Sequence, residues 1–296
     1  MAQVKVGVVG LGNMGRGVAG NLHKAKIPLM VWDVMPEARE PWERKRGVEV
    51  LEPGEMAGQA GIIIFVVPGS PEIEEALKGR GGVLANARKN LVLYDFTSSD
   101  PAVSRKIARR AKAKGVAFLD AGMSGGATGA AAGTLTLMIG GDERAYRRTK
   151  RFLTPIADNL FYLGESGAGH AMKLIHNMVC HSIFMATCEG GKLAERVGLK
   201  VEDMIEVFNV SNARSYASQF RFPNHILSEK WDGKSRVYNM IKDVGMAVNM
   251  GKKHRAHTEH GEATLGFLEK AVKRGMIEKD FTLLYRDYEK IVKTRL

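Results

Sequence analysis

The fold is decided by Val6-Gly7-Val8-Val9-Gly10-Leu11-Gly12-Asn13-Met14-Gly15, a β-branched run that leads into the spacing G-x-G-x-x-G. Residues 18–25 then follow a helical pattern. Gly10 permits a tight turn, Gly12 lets backbone N–H groups approach a phosphate, and Gly15 allows close packing of helix on strand. A loop that only needs flexibility also carries glycines. The preceding strand and following helix nevertheless favour a dinucleotide site at Gly10, Leu11, Gly12, Asn13, Met14 and Gly15.

The rest of the first half alternates short apolar runs with helical stretches, which is typical of a parallel sheet with crossover helices. Residues 62–67 are continuously apolar, as expected of a strand buried on both faces. We therefore predict a Rossmann-type α/β domain. Its strands are expected at Val4–Val9, Leu29–Trp32, Gly61–Val67, Leu91–Asp95, Ala117–Leu119 and Leu160–Leu163.

The second half loses the strand pattern from about Ser166, and long helical patterns punctuated by Gly198, Pro223, Gly251 and Gly275 replace it. This predicts an all-α domain. With the boundary near Gly164, the expected domains are residues 1–164, which bind the dinucleotide, and residues 165–296, which serve the substrate and oligomerisation.

The composition is that of a globular protein, with 45% hydrophobic and 26% charged residues, which argues against a disordered or fibrous chain. The net charge of +12 is spread along the chain, and its densest run, Arg105–Lys114, suits a helix with one solvated face. A positive field also attracts anionic cofactors and acidic substrates. Nucleic acid is the minor alternative, and we expect no nucleic-acid partner.

The two cysteines, Cys180 and Cys188, fall in one predicted helix, separated by about 12 Å of rise, so they cannot bridge each other. This usage fits a reducing compartment and predicts a cytoplasmic protein. The opening residues show no charged and apolar leader. Apolar stretches are far shorter than the ~20 residues of a membrane helix, so we expect no membrane association.

Asp33 follows the second predicted strand, roughly 20 residues after the glycine motif, where an acid can accept hydrogen bonds from the adenine ribose hydroxyls. It would repel a 2'-phosphate, and Val34-Met35-Pro36 offers no cation to balance one. We therefore predict NAD rather than NADP, with Arg39 as the residue that could compromise the preference. A turn-capping role for Asp33 is the alternative.

The segment Asp120–Thr136 is rich in glycine and hydroxyl groups. Ser124, Gly125 and Gly126 can bring a hydroxyl and uncrowded backbone N–H groups together on a carboxylate. A flexible surface loop would have a similar composition.

In the following predicted helix, Lys173 and Asn177 are four residues apart and share a face. A separate apolar stripe is expected to serve packing; it consists of Met172, Ile175, Val179 and Ile183. A lysine acts as a general base only where its surroundings lower its pKa from roughly 10.4, so an exposed helical lysine is the commoner case.

Later segments offer further polar groups. Lys242 could complete the carboxylate site or lie beside the nicotinamide, and Asp243 could fix its orientation. A surface ion pair of little energetic value is the alternative. Arg214, Arg221 and Arg236 could form a second anion site or lie on the surface. Three histidines three residues apart, at 254, 257 and 260, are explained equally well by a solvated helix end, and we predict no metal site.

Taken in order, these motifs resemble the β-hydroxyacid dehydrogenase family, which includes 3-hydroxyisobutyrate, tartronate semialdehyde and related dehydrogenases. The resemblance covers essentially the whole chain. Its motifs are the glycine turn, Val67-Pro68, Asp95–Pro101, Ser124-Gly125-Gly126, Gly167-x-Gly169-x-x-x-Lys173-x-x-x-Asn177 and Lys242-Asp243.

The resemblance implies that Lys173 is the acid/base, Asn177 places the substrate and Ser124–Gly126 bind its carboxylate. It also implies that Val67 and Pro68 bind the cofactor and that Thr97 lies near the nicotinamide. Gly122-Met123 replaces the usual Pro-Val before Ser124, which is expected to loosen that loop without removing a ligand.

The implied activity is oxidation of a small 3-hydroxy carboxylic acid to its semialdehyde, or the reverse reduction, with a small anionic hydroxy acid or semialdehyde as substrate. An imine reductase and a non-catalytic NAD-binding scaffold share the architecture. The former commonly carries Asp or Tyr in place of the lysine. Relatives bury apolar surface of the helical domain against a second subunit, so a homodimer or homotetramer is implied.

Overall fold

The N-terminal part of the molecule is built on one eight-stranded sheet. The computed structural model describes residues 4–296, so the first three positions of the predicted domain 1–164 lie outside the described residues. The strands in the described part are β1 (Val6–Val9), β2 (Leu29–Trp32), β3 (Val48–Val50), β4 (Ile62–Phe65), β5 (Val92–Asp95), β6 (Ala117–Ser124), β7 (Leu135–Gly141) and β8 (Ala157–Tyr162).

The strand order is β3-β2-β1-β4-β5-β6-β7-β8, and all neighbours are parallel except β6 and β7. The register aligns Val9 with Phe65, Phe65 with Asp95, and Asp95 with Asp120. The loops that follow β1, β4 and β5 therefore leave the sheet side by side at its carboxyl edge. Ligands of open α/β sheets bind outside this edge.

Helices cover both faces of the sheet and close two apolar cores against it. One core is centred on Val8, Ile64 and Leu119, and the other on Ile63, Leu93 and Phe118. The helices of this part are α1 (Asn13–Lys24), α2 (Pro36–Glu43), α3 (Pro53–Gln59), α4 (Ser70–Leu77), α5 (Val83–Asn86), α6 (Pro101–Lys112), α7 (Gly126–Ala132) and α8 (Glu143–Thr149), with a 3₁₀ turn at Lys150–Phe152.

Beyond β8 the chain is helical. The elements are α9 (Ala168–Arg196), α10 (Val201–Asn209), a π-helix (Ala217–Ile226), α11 (Val237–Lys253), α12 (Glu259–Lys273), α13 (Leu283–Arg286) and α14 (Tyr288–Val292). Their own core includes Phe184, Phe222, Val244 and Leu268. The predicted fold class, a Rossmann-type α/β domain followed by an all-α domain, is confirmed.

The chain packs as two compact units that divide between Lys173 and Leu174, inside α9. The apolar stripe of α9, which was expected to serve packing, is about half exposed. Met172, Ile175, Val179 and Ile183 are all 41–49% exposed. The expected homodimer or homotetramer stays a prediction. Within residues 4–296, no helix is long and apolar enough to cross a membrane.

Candidate active site

The glycine motif forms a tight turn at the carboxyl end of β1. Gly10 has a positive φ of 96°, and a Cβ there would lie 2.3 Å from the carbonyl oxygen of Val66. A Cβ on Gly15 would lie 1.9 Å from the carbonyl oxygen of Gly10, whereas nothing lies within 4 Å of one on Gly12. The turn is therefore tight on its inner side and open at Gly12, which fits the approach of a pyrophosphate.

The first turn of α1 carries no acidic residue, and its N-cap residue is Gly12, which has no side chain to cap the helix. The backbone N–H groups of this helix end thus face no competing carboxylate of their own turn. A helix N-terminus of this kind favours a phosphate group through its free donors and its dipole. Leu11, Asn13 and Met14, which were predicted to bind the cofactor, belong to this same turn.

Asp33 stands directly after β2, and both of its carboxylate oxygens accept backbone hydrogen bonds. Oδ2 accepts from the N–H of Leu11 at 2.6 Å, and Oδ1 accepts from the N–H of Met35 at 2.9 Å. Asp33 thus joins the glycine turn to the loop after β2, so the turn-capping interpretation describes part of its role. Each oxygen keeps a second lone pair that can accept from a ribose hydroxyl. The guanidinium of Arg39 lies 4.3 Å from the ring centre of Trp32.

The loops after β4 and β5 bring further predicted cofactor residues to the same edge of the sheet. Val67 is partly buried and Pro68 is exposed. Thr97 is 4% exposed, and its backbone N–H and hydroxyl both donate to Oδ1 of Asp95, at 2.9 and 2.6 Å. Thr97 is therefore held rigidly by a carboxylate that lies beneath it.

Asp95, which holds Thr97 in place, was noted by sequence analysis only as part of a motif. It is fully buried, and this burial raises the pKa of its carboxyl group, although Thr97 and nearby His170 act in the opposite direction. Its Oδ2 atom has no hydrogen-bond partner. An acid placed directly after a buried apolar strand is the signal that could have identified it.

The start of α9 is fixed by a second buried carboxylate, Asp120 on β6. It accepts from the N–H of Gly167 at 2.6 Å and from the N–H of His170 at 2.9 Å. His170 is itself fully buried, with Nδ1 2.7 Å from the hydroxyl oxygen of Ser104. Sequence analysis missed this anchoring, which fixes the turn of α9 that carries Lys173.

Lys173 is 9% exposed, so the exposed-lysine alternative is wrong. Its aliphatic stem lies against the backbone of β6, where a Cβ on Gly122 would be 2.4 Å from Cβ of Lys173. Two residues further along, Ser124 ends β6, and Gly125 and Gly126 follow with φ values of 122° and 61°. The segment Asp120–Thr136 is therefore not a loop, because α7 begins at Gly126 and β7 at Leu135.

In the helical unit, Asn177 and Asp243 form a buried pair. The amide nitrogen of Asn177 donates to Oδ2 of Asp243 at 2.6 Å, and the two residues are 8% and 6% exposed. The ammonium group of Lys242 lies 3.6 Å from Oδ1 of Asp243. The acid thus orients Asn177, and the surface-ion-pair interpretation fails because Asp243 is buried.

Two family models match the chain. The model of the NAD binding domain of 6-phosphogluconate dehydrogenase matches residues 5–164, which is more than half of the chain. The model described as NAD-binding of NADP-dependent 3-hydroxyisobutyrate dehydrogenase matches residues 167–288.

The chain belongs to the β-hydroxyacid dehydrogenase family. The resemblance inferred from the motifs is thereby confirmed. As a member of this family the protein is an oxidoreductase with a nicotinamide dinucleotide cofactor. The glycine turn, the open N-terminus of α1 and Asp33 fit that group.

Relatives of this β-hydroxyacid dehydrogenase include 2-(hydroxymethyl)glutarate dehydrogenase of Eubacterium barkeri, 33% identical over 84% of this chain and 83% of the relative. The mitochondrial 3-hydroxyisobutyrate dehydrogenase of Homo sapiens is 30% identical over 96% and 87%. Among solved structures, the 3-hydroxyisobutyrate dehydrogenase of Mycobacterium tuberculosis with L-serine superposes with a TM-score of 0.86, at 26% identity, over 97% of this chain and 99% of that one. Imine reductases share the fold at TM-scores of 0.63–0.65 and 16–20% identity.

Proposed function

We propose that the protein catalyses the NAD-dependent oxidation of the 3-hydroxyl group of a small carboxylic acid to a semialdehyde, or the reverse reduction, with Lys173 as general acid/base. The observation that carries the proposal is the burial of Lys173 at 9% exposure, on a helix whose first turn is anchored by Asp120. A lysine excluded from bulk water and fixed in position is suited to proton transfer rather than to solvation of a surface.

In the proposed reaction, Ser124 and the backbone N–H groups of Gly125 and Gly126 hold the substrate carboxylate. Lys173 takes the hydroxyl proton as the carbonyl forms, and Asn177, oriented by Asp243, donates to the reacting oxygen. The bound nicotinamide supplies the hydride acceptor. In the reverse direction the protonated amine of Lys173 polarises the aldehyde and returns the proton, so both directions use the same groups.

The substrates for which the relatives are named support a common substrate shape. 2-(Hydroxymethyl)glutarate, 3-hydroxyisobutyrate and L-serine each carry a hydroxymethyl group on the carbon that bears a carboxylate. We infer that this protein acts on the same unit, a 3-hydroxypropanoate substituted at carbon 2. The carboxylate and the hydroxymethyl group are the parts that Ser124–Gly126 and Lys173 would bind.

We propose NAD as the preferred cofactor. Asp33 is tied to the glycine turn through Leu11, so a negative charge is fixed beside the position expected for the adenine ribose. A 2'-phosphate would face that charge. Arg39, the cation that could offset it, lies on the ring of Trp32.

The proposal is tested by replacing Lys173 with alanine, with Lys112→Ala as a matched control on the exposed side of α6. Turnover is followed by NADH absorbance with 3-hydroxyisobutyrate, 2-(hydroxymethyl)glutarate, L-serine, the semialdehydes and a set of imines. Lys173→Ala should lose about 10²–10⁴-fold in turnover, as is typical of acid/base groups, while NADH binding measured by fluorescence is retained.

Lys112→Ala should be indistinguishable from the wild-type enzyme. Unchanged turnover in Lys173→Ala would refute the acid/base role. Turnover of imines alone would refute the substrate class in favour of an imine reductase, and turnover of no compound with normal NADH binding would favour a non-catalytic scaffold.

A further inference from the structure

The three arginines that could form a second anion site have different surroundings. Arg214 is exposed. Arg236 is also exposed, and its guanidinium pairs with Glu278 at 2.5 Å. Arg221 is partly buried in the π-helix, and within residues 4–296 no carboxylate lies within ion-pairing distance of it. Among the described residues, Arg221 is therefore the one of the three arginines that is partly buried and has no acidic side chain to balance its charge.

The guanidinium of Arg221 lies among aromatic rings. Its carbon is 4.8 Å from the ring centre of Phe281, 5.3 Å from that of Phe184 and 5.6 Å from that of Tyr216. Nη2 donates to the sulfur of Cys180 at 3.6 Å, and Nη1 is buried without a hydrogen-bond partner. The rings stabilise the positive charge, but they offer no hydrogen-bond acceptor to the N–H groups in the plane of the guanidinium.

This arrangement fixes the orientation of the guanidinium but gives its N–H groups only weak hydrogen-bond acceptors. A thiol sulfur is a poor acceptor, and a buried N–H without an acceptor is costly. A carboxylate that accepted from both Nη1 and Nη2 would replace the thiol contact with two charge-assisted hydrogen bonds. Arginine is the residue best matched to a planar carboxylate bound in this bidentate manner.

The contacts that Arg221 makes with α9 relate it to Asn177. Asn177, Cys180 and Phe184 are spaced three and four residues apart and therefore lie on one face of the helix. Arg221 contacts Cys180 and Phe184. Its guanidinium thus contacts a residue that is only about 4.5 Å of helical rise beyond Asn177.

We propose that Arg221 binds a second carboxylate of the substrate, so that the preferred substrate is a dicarboxylic 3-hydroxy acid whose carbon 2 carries a short carboxyalkyl chain. The proposal rests on the function proposed above and narrows its substrate class. Arg221 determines specificity without taking part in proton or hydride transfer.

The test compares kcat/KM for 2-(hydroxymethyl)glutarate and for 3-hydroxyisobutyrate, which lacks the second carboxylate. The variants are Arg221→Gln and Arg221→Lys, and Arg214→Gln is the matched control because it removes the same charge at an exposed site. The wild-type enzyme should favour the diacid by about tenfold or more, and Arg221→Gln should remove that preference, the effect expected for loss of a charge-assisted pair.

The preference of Arg221→Lys for the diacid should lie between those of the wild type and of Arg221→Gln. Lysine keeps the positive charge but lacks the planar guanidinium that binds a carboxylate through two hydrogen bonds. Arg214→Gln should keep the preference. A wild-type preference for the monoacid, or equal losses on both substrates in Arg221→Gln with normal thermal stability, would overturn the role of Arg221. Equal losses in both Arg221 variants together with a lowered Tm would indicate a packing role and would equally overturn it.

Failure of the proposed function is separated from failure of this inference by measuring glutarate binding to the NADH-bound protein by calorimetry. At least about tenfold weaker binding in Arg221→Gln than in the wild type supports the carboxylate site even if neither hydroxy acid is oxidised. Equal binding in the two proteins, or none in the wild type, overturns it whatever the turnover.

Discussion

Gly122 on β6 lies directly beneath the stem of Lys173 on α9, so closely that a methyl group at position 122 would come within 2.4 Å of Cβ and 2.8 Å of Cγ of the lysine. These atoms are at the rigid end of the side chain, so the lysine cannot avoid the overlap by rotating its amine alone. The departure from the Pro-Val of similar sequences was expected to loosen the loop before Ser124. Gly122 and Met123 lie within β6, and the lysine stem lies against the strand backbone at Gly122.

The first prediction follows from this contact. Gly122→Ala should displace Lys173 and lower kcat by about 10-fold to 100-fold, because a displacement of about 1 Å at a catalytic group can lower the rate about 100-fold. NADH affinity, measured by fluorescence titration, should stay within experimental error. Gly20→Ala is the control, because nothing lies within 4 Å of a Cβ on this residue of α1 and alanine favours a helix. Full activity in Gly122→Ala would contradict the positioning role of Gly122.

Sequence analysis predicted the parallel strands well where they are buried on both faces. All four positions of the strand β4 are buried, and its continuous apolar run identified it. The strands β3 and β7 were missed, and β6 was predicted too short. The three residues of β3 alternate with a glutamate, and β7 follows a glycine-rich segment and ends in two glycines, so neither resembles a buried strand.

The candidate site was predicted residue by residue, but its contacts were not. Lys173 and Asn177 share a helix, and spacing alone related them. The contact between Gly122 and Lys173 and the hydrogen bond from Asn177 to Asp243 join segments far apart in sequence. Such pairs depend on tertiary packing and have no periodicity that a single sequence reveals.

A second prediction concerns Asp243. Asp243→Leu removes the acceptor of the Asn177 amide and leaves a buried donor unpaired, which should lower the free energy of unfolding by about 1–3 kcal/mol in urea titrations. It should also reduce kcat/KM for the hydroxy acid, because Asn177 is no longer oriented. Asp243→Asn retains an amide oxygen as acceptor and should be affected less in both measurements. The idea fails if the two variants turn over substrate equally well.

A third prediction concerns the choice between NAD and NADP. Asp33→Asn removes the charge that would repel a 2'-phosphate, and one of the two backbone bonds is lost because the amide has a single acceptor oxygen. The ratio of kcat/KM for NAD to that for NADP should fall by about tenfold, which corresponds to roughly 1.4 kcal/mol. Glu37→Gln, an exposed site on α2, removes the same charge nearby. If the ratio changed equally in Glu37→Gln, the preference for NAD would arise from the overall negative charge of this region rather than from Asp33.

The last prediction concerns pH and the buried carboxyl group of Asp95. Burial raises the pKa of this group above its ordinary value of 3.8, and His170 and Asp120 are the titratable groups facing it. Because the folded state holds its proton more tightly than the unfolded state, the contribution of Asp95 to stability falls as the pH rises from about 4 to the folded pKa. Asp95→Asn keeps an oxygen to accept from Thr97 and has no charge to desolvate.

The free energy of unfolding of Asp95→Asn relative to the wild type should therefore increase with pH above about 4 and level off beyond the folded pKa. Urea titrations of both proteins at several pH values between 4 and 8 measure this difference in free energy of unfolding. Contributions of titrating groups that are the same in both proteins cancel in the difference. Asp120→Asn is the comparison variant, because that carboxylate is also buried but accepts from two backbone N–H groups. A difference between wild type and Asp95→Asn that is independent of pH would mean that Asp95 ionises in the folded protein as it does in the unfolded chain.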